Sequence, residues 1–174
     1  MNMRPDPSSF RSAASRFLTG VTVVASQSRD GARVGMTANS FTTVSTKPPT
    51  VLVSLMRGRT WQAIMDSGRY SVNVMHAEDV AACVHFAGKP QASGAPALVD
   101  LDGFPVLPHA IARFACEVVQ TVEVSDHTLF IGEVRWCRHQ DGSPLGFFGN
   151  QFRHGTGAAI APAEVEYPPG EWAI

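Results

Sequence analysis

Five short stretches of the chain hold side chains whose types and spacing could do chemistry. Residues 35–45 read GMTANSFTTVS, in which Thr37, Asn39, Ser40, Thr42, Thr43 and Ser45 each carry a hydroxyl or an amide. Short polar side chains let a backbone approach a ligand closely while offering donors and acceptors to its polar atoms. Thr37, Asn39 and Ser40 lie close enough together to line one pocket edge where a strand turns outward. The same composition also describes an exposed Ser/Thr-rich strand and turn. MRGRTW (56–61) sets Arg57, Arg59 and Thr60 directly before a helical pattern. Two guanidinium groups beside the free amides of a helix start would suit an anion such as phosphate; a solvated loop with ordinary arginines is the other reading. Both stretches flank the apolar segment 50–56, which favours a shared site.

Three further stretches follow. HFAGK (85–89) offers Phe86 as a stacking face and Lys89 as a phosphate contact, or else a core aromatic and a surface lysine. SDHTLFIGEV (125–134) puts Asp126 and His127 at a strand start. A histidine beside a carboxylate can bind a substrate or pass a proton, although a turn aspartate with a surface histidine fits the same residues. PLGFFGNQFRHG (144–155) sets Phe147, Phe148, Phe152 and Arg153 among glycines, as a lid or stacking platform would, or as an anchor for the tail.

The surrounding patterns predict the elements that must position these groups. FRSAASRFL (10–18) has helical apolar spacing and is stopped by Gly20. VTVVAS (21–26) and a strand starting near Ala32 flank the turn Arg29-Asp30-Gly31 as a hairpin. After Lys47-Pro48-Pro49 come a strand over 50–56, a short helix capped by Thr60 and ended by Gly68, an alternating strand over 69–75, and a helix over about 77–87. The turn residues of 88–110 predict a long loop, of a length more often functional than idle. Two long strands, 112–124 and 128–139, meet near Ser125-Asp126. About six or seven strands joined by turns imply antiparallel pairing, and closing a barrel would remove exposed edges. Periodicity alone leaves barrel and sandwich open.

Composition narrows the function classes. The chain has 174 residues, 44% of them apolar, enough for one domain with a sizeable core. Its net charge of −1, with Lys and Arg scattered, argues against a nucleic-acid surface or a membrane patch. There is neither a spanning apolar run nor the apolar core of a signal peptide, and three separated cysteines suggest no disulfide framework, so a cytoplasmic protein is expected. The six histidines lack ligand spacing, so no metal is expected. GxGxxG, GxSxG and P-loop motifs are absent.

The ordered set FLTGVTVVAS, GMTANSFTTVSTKPPTVLVSL, SGRYSVNVM, HFAGK, LDGFP, SDHTLFIGEV and PLGFFGNQF resembles the flavin reductase-like family of small FMN-binding split-barrel reductases. The resemblance implies a mainly β, Greek-key split β-barrel with a few short helices. It covers a single domain over 1–174, with a core of about 10–155 and a tail of 156–174, that dimerises. It implies that GMTANS, from Gly35 through Met36, Thr37, Ala38 and Asn39 to Ser40, lines the flavin ring and ribityl chain, helped by Ser45 and Ser54. Arg57, Arg59 and Thr60 would face the flavin phosphate, with Phe86 and Lys89 assisting. Asp126 and His127 match the segment expected near a nicotinamide, His127 being the catalytic candidate, and Phe148, Phe152 and Arg153 match the closing segment. The family's usual Gly-Asp-His stands here as Ser125-Asp126-His127.

The implied reaction is hydride transfer from NADH or NADPH to FAD or FMN, with reduced flavin passing to a partner monooxygenase. The long 88–110 segment, with room for an adenosine, tilts the choice toward FAD. The Trp136 strand and the Trp172 tail offer dimer contact surface. Two other readings keep the same fold: a flavin carrier or sensor without reductase activity, and an FMN-dependent amine oxidase-type enzyme.

Overall fold

The structure, a computed structural model, describes residues 4–89 and 96–155. In it β2 (Thr22–Gln27), β3 (Arg33–Ala38), β4 (Thr42–Thr46), β5 (Pro49–Met56), β6 (Arg69–Val74), β9 (Ala112–Val124) and β10 (His127–His139) form one antiparallel sheet. Its order is β3-β2-β6-β9-β10-β5-β4. The sheet curls on itself. Val24, Val51, Val53, Leu55, Tyr70, Val72, Cys116 and Phe130 form one buried cluster, against which Met36, Ala38 and Phe41 from the far end of the sheet also pack. Phe41, just past β3, stacks 5.2 Å from Phe114 on β9. The seam is clasped by Ser40, whose Oγ donates to the Ser54 carbonyl at 2.8 Å and accepts from the Ser54 amide at 3.0 Å. The two ends of the sheet thereby meet around a common core, as expected of a mainly β barrel-like fold.

β2 is buried on both faces because a second cluster covers its other side. Val21, Val23, Met75, Cys83, Leu107, Ala110 and Leu145 belong to that cluster. It is roofed by α3 (Val80–Phe86) and by a small sheet of β1 (Thr19–Gly20), β11 (Leu145–Phe148) and β12 (Gln151–His154). Buried polar groups between the layers are satisfied. Asn73 Nδ2 donates to the Val23 carbonyl at 3.0 Å, and its Oδ1 accepts from Leu107 N at 2.8 Å. Ser71 Oγ donates to the Pro105 carbonyl. Gly132 is required by sterics, since a Cβ there would collide with the buried Tyr70 hydroxyl.

Several expected elements moved. The first helix, α1, spans Pro7–Ala14 rather than 10–18, because Asp6 caps it by accepting from Ser8 N and Ser9 N, with Pro7 in the first turn. α2 spans Arg59–Ser67, so Thr60 is not its cap but a buried residue of the first turn; Gly58 stands at the cap position. Gly68 ends α2 in the left-handed region at φ +67°, as the sequence indicated. The predicted helix over 77–87 shortens to α3. The 88–110 segment is not all loop: β7 (Val99–Leu101) and β8 (Phe104–Val106) form a hairpin around Asp102 and Gly103, both at positive φ. The turn in 144–155 likewise hides a hairpin, with Gly149 and Asn150 at φ +60° and +62°.

Candidate active site

The open edge of the barrel beside the Ser40–Ser54 seam holds a cavity of about 560 Å³. Four elements build it. β3 and the turn after it supply Gly35 to Ser40, β5 supplies Ser54 to Met56, the start of α2 supplies Arg59 and Thr60, and the end of α3 supplies Phe86 to Gly88. His127, the first residue of β10, stands at the rim. It is positioned there by sheet register, paired with Met56 on β5 and with Val124 on β9.

Not every polar residue of 35–45 is available to a ligand. Thr37 lines the cavity but spends its hydroxyl on the Cys83 carbonyl at 2.6 Å, fastening β3 to α3. Ser40 is committed to Ser54. Ser45 lies outside, where its Oγ accepts from Lys47 N at 3.1 Å in the β4–β5 turn. Among the described residues, the Asn39 and Ser54 side chains make no hydrogen bond and both line the cavity. The stretch is therefore part seam and part lining, so both readings of its composition hold at different residues.

The anion end is built at α2. Gly58 makes no side-chain cap bond, so the first-turn amides of the helix are left for a ligand. Arg59 forms no ion pair among the described residues, and the buried Thr60 lies beside it. Arg57 points elsewhere: its guanidinium lies 5.6 Å from the Trp61 ring and 3.7 Å from Glu123, tying β5 to the end of β9. The third wall depends on Gly35. A Cβ at this position would come within 2.9 Å of the Phe86 ring, so the absence of a side chain lets α3 close down and present Phe86 to the cavity. Lys89 lies beyond Gly88 and outside the lining, its amide donating to Val84 O at 3.2 Å.

At the rim, His127 Nδ1 and Asp126 Oδ1 are 2.8 Å apart, and that hydrogen bond holds the Asp126 carboxyl below its ordinary range. Asp126 orients the ring without lining the cavity. Ser125 before it adopts φ +56°, the conformation for which the family's glycine is suited. Phe148, Phe152 and Arg153 are not brought to the cavity. Phe152 folds back on Phe147, ring centroids 5.5 Å apart, to cover the second core, and Arg153 pairs with Gly146 in the β11–β12 ladder. Sequence reasoning missed Leu55, Met56, Ala87 and Gly88 as lining residues. Leu55 carried no signal as an apolar strand residue; Met56, Ala87 and Gly88 stood inside quoted motifs and could have been found.

Among the described residues no group of three or more His, Cys, Asp or Glu side chains could hold a metal ion, and no helix is long and apolar enough to cross a membrane.

Residues 14–156 match the model of the flavin reductase like domain. The chain belongs to the flavin reductase-like family. It is 38% identical over 154 residues to the NADH-dependent flavin reductase StyB of Pseudomonas fluorescens, covering 86% of this chain and 90% of that one. Among solved structures it is similar to the flavin reductase PheA2 (TM-score 0.82, 37% identity, 87% of this chain and 99% of that one). It is also similar to the styrene monooxygenase flavin reductase SMOB of Pseudomonas putida S12 (TM-score 0.80, 37% identity, 84% and 97%). The cavity fits the cofactor of this family on its own geometry: uncapped helix amides with Arg59 at one end, small neutral donors along the floor, and a wall that glycine keeps open for Phe86.

Proposed function

We propose that the protein is an NADH-dependent flavin reductase that binds FAD or FMN in this cavity and supplies reduced flavin to a separate flavin-dependent monooxygenase, the setting named for SMOB. The observation that carries the site assignment is the placement of Arg59 and the free α2 amides at one end of a mainly apolar cavity and of His127 at its rim. Bound flavin supplies the hydride-accepting ring; the protein's contribution is position and electrostatics. Arg59, Thr60 and the α2 amides hold the phosphate. Asn39, Ser54 and the backbone of residues 36–40 meet the ring and its side chain, and the seam bonds of Ser40 keep that backbone rigid. His127, held by Asp126 through Nδ1, would meet the nicotinamide at the cavity rim, with Nε2 left as its hydrogen-bonding atom. No nucleophile is needed, consistent with a lining that holds no Cys, Asp or Glu side chain.

The same reading includes a homodimer. It is supported by exposed apolar side chains: Val119, Val122 and Val124 on the projecting half of β9, and Met56 at the end of β5, across β10 from Val124. Trp136 is already covered, its ring 6.0 Å from Phe104 with Arg138 over it, and Trp172 lies outside the described residues. Three free thiols accord with a reducing compartment such as the cytoplasm.

The test is oxidation of NADH by the purified protein with FAD, FMN or riboflavin in turn. Flavin-dependent consumption supports the assignment. Quenching of flavin fluorescence with no oxidation of NADH would refute it and leave a flavin carrier. Light scattering that returns the mass of one chain would refute the dimer.

A further inference from the structure

Arg57 and Trp61 flank Arg59 and Thr60 in MRGRTW, yet neither lines the candidate flavin cavity. Trp61, in the first turn of α2, packs against the first core cluster. Its indole Nε1 donates to Thr128 Oγ1 at 2.8 Å. Thr128 is buried and directly follows His127 on β10. In the sheet it stands between Leu55 of β5, a lining residue, and Glu123 of β9. The Arg57 guanidinium lies over the Trp61 ring, 5.6 Å from its centroid, and 3.7 Å from that same Glu123. Among the described residues no other hydrogen bond or ion pair joins α2 to β10. One bond therefore ties the helix that carries Arg59 and Thr60 to the strand that begins with His127. An indole N–H that lost this acceptor would be left unpaired at a cost, so the bond favours one setting of α2 against β10.

Flavin reduction by NADH moves a hydride, with both of its electrons, from the nicotinamide to the flavin, leaving NAD⁺ and reduced flavin. Its rate depends on how the two rings are set against each other. Reacting atoms must stand about 3–3.5 Å apart, and a misplacement of about 1 Å can cost about a hundredfold. In the flavin reading of the cavity, on which this inference rests, the flavin is anchored by its phosphate at α2 and the nicotinamide is met at His127. The two anchors thus sit on the two elements that Trp61 and Thr128 join. We propose that Trp61 and Thr128 are a positioning pair: their hydrogen bond sets the phosphate anchor against the His127 rim, so that the flavin phosphate raises the rate of hydride transfer as well as affinity. Neither side chain lines the cavity, so the pair acts only through Arg59, Thr60 and His127. Riboflavin, which has no phosphate, has no such hold on α2 and gains nothing from the pair.

The experiment measures the rate constant for reduction of FMN and of riboflavin by NADH in anaerobic stopped flow, with the full-length protein saturated by each flavin. Thr128→Val keeps the side-chain shape and removes the acceptor. Trp61→Phe keeps an aromatic ring under Arg57 and removes the donor, and it carries the test if Thr128→Val fails to fold. Thr128→Ser keeps the hydroxyl. The wild type should reduce FMN about tenfold faster than riboflavin, a modest share of what alignment can contribute. In Thr128→Val and Trp61→Phe the FMN rate should fall to the riboflavin rate, with the riboflavin rate unchanged, and Thr128→Ser should keep the wild-type ratio. Equal wild-type rates for the two flavins would overturn the proposal, as would an FMN rate unchanged in both variants. FMN and riboflavin slowing by the same factor would show a merely structural bond and overturn it too. Absence of reduction by the wild type with either flavin is a different failure, that of the reductase reading, and takes this inference with it.

Discussion

Gly35→Ala is the substitution that best tests how the site is built. Gly35 sits inside β3, where alanine would ordinarily be neutral or better, so any loss must come from what the added methyl meets. It would meet Phe86 Cδ1 and Cε1 at 2.9 Å and Val23 Cγ1 at 3.2 Å. Contacts between carbons are optimal at about 3.5–4.0 Å, so the neighbours must retreat by roughly half an ångström or more. Val23 is fully buried on a strand flanked by β3 and β6 and has nowhere to go. The displacement therefore falls on Phe86 and the end of α3, a wall of the candidate site. Overpacking of this kind costs about 1–3 kcal/mol, which for a chain of this length lowers the melting temperature by about 2–12 °C. Because the moving part is the cavity wall, flavin affinity should fall as well, by about fivefold or more on the scale of 1 kcal/mol. Scanning calorimetry and flavin titration of Gly35→Ala, Phe86→Leu and the double variant supply the assay. The smaller side chain at position 86 should recover much of the loss caused by the methyl added at position 35, a coupling that a double-mutant cycle reads directly. A Gly35→Ala protein with wild-type melting temperature and wild-type flavin affinity would refute the assignment of Gly35 as the seat of that wall.

Replacing His127 by Ala should lower kcat/KM for NADH by about a hundredfold or less, the low end for a positioned proton-transfer group, with the flavin Kd unchanged. Stopped-flow reduction separates the two. Ser125→Gly should stabilise the protein by about 1 kcal/mol, since φ +56° is strained for serine, and a drop in melting temperature would contradict the strain. A thiol reagent at neutral pH should label Cys137 rapidly in the native protein, and Cys83 and Cys116 only on unfolding. Burial pushes both inner thiols up from 9.0 to about 12, favouring their protonated forms in the fold. The stability this contributes is complete below pH 9 and lost progressively as pH rises toward 12, so denaturant midpoints should decline across that window. A midpoint that holds level there would contradict the burial.

What the sequence made legible follows from how locally each feature is determined. The long hairpin of β9 and β10 was readable because strand periodicity and the Ser125-Asp126 turn are properties of neighbouring residues, and α2 ended where a glycine could take φ +67°. The register that brings His127 beside Met56 is not local. It depends on β5 pairing with a strand far along the chain, which no spacing within either segment reveals. The polar stretch 35–45 makes the same point from the other direction. Its hydroxyls look alike in sequence, yet Thr37 and Ser40 are consumed by Cys83 and Ser54, which lie on other elements, while Asn39 and the Ser54 side chain remain for a ligand. The aromatics of 144–155 were drawn elsewhere by the β11–β12 hairpin, whose turn at Gly149-Asn150 folds Phe152 onto Phe147. Short polar residues and glycines thus announce that a site exists, whereas sheet register decides which of them face it. That is why Gly35, which carries no chemistry of its own, becomes the residue on which the cavity wall depends.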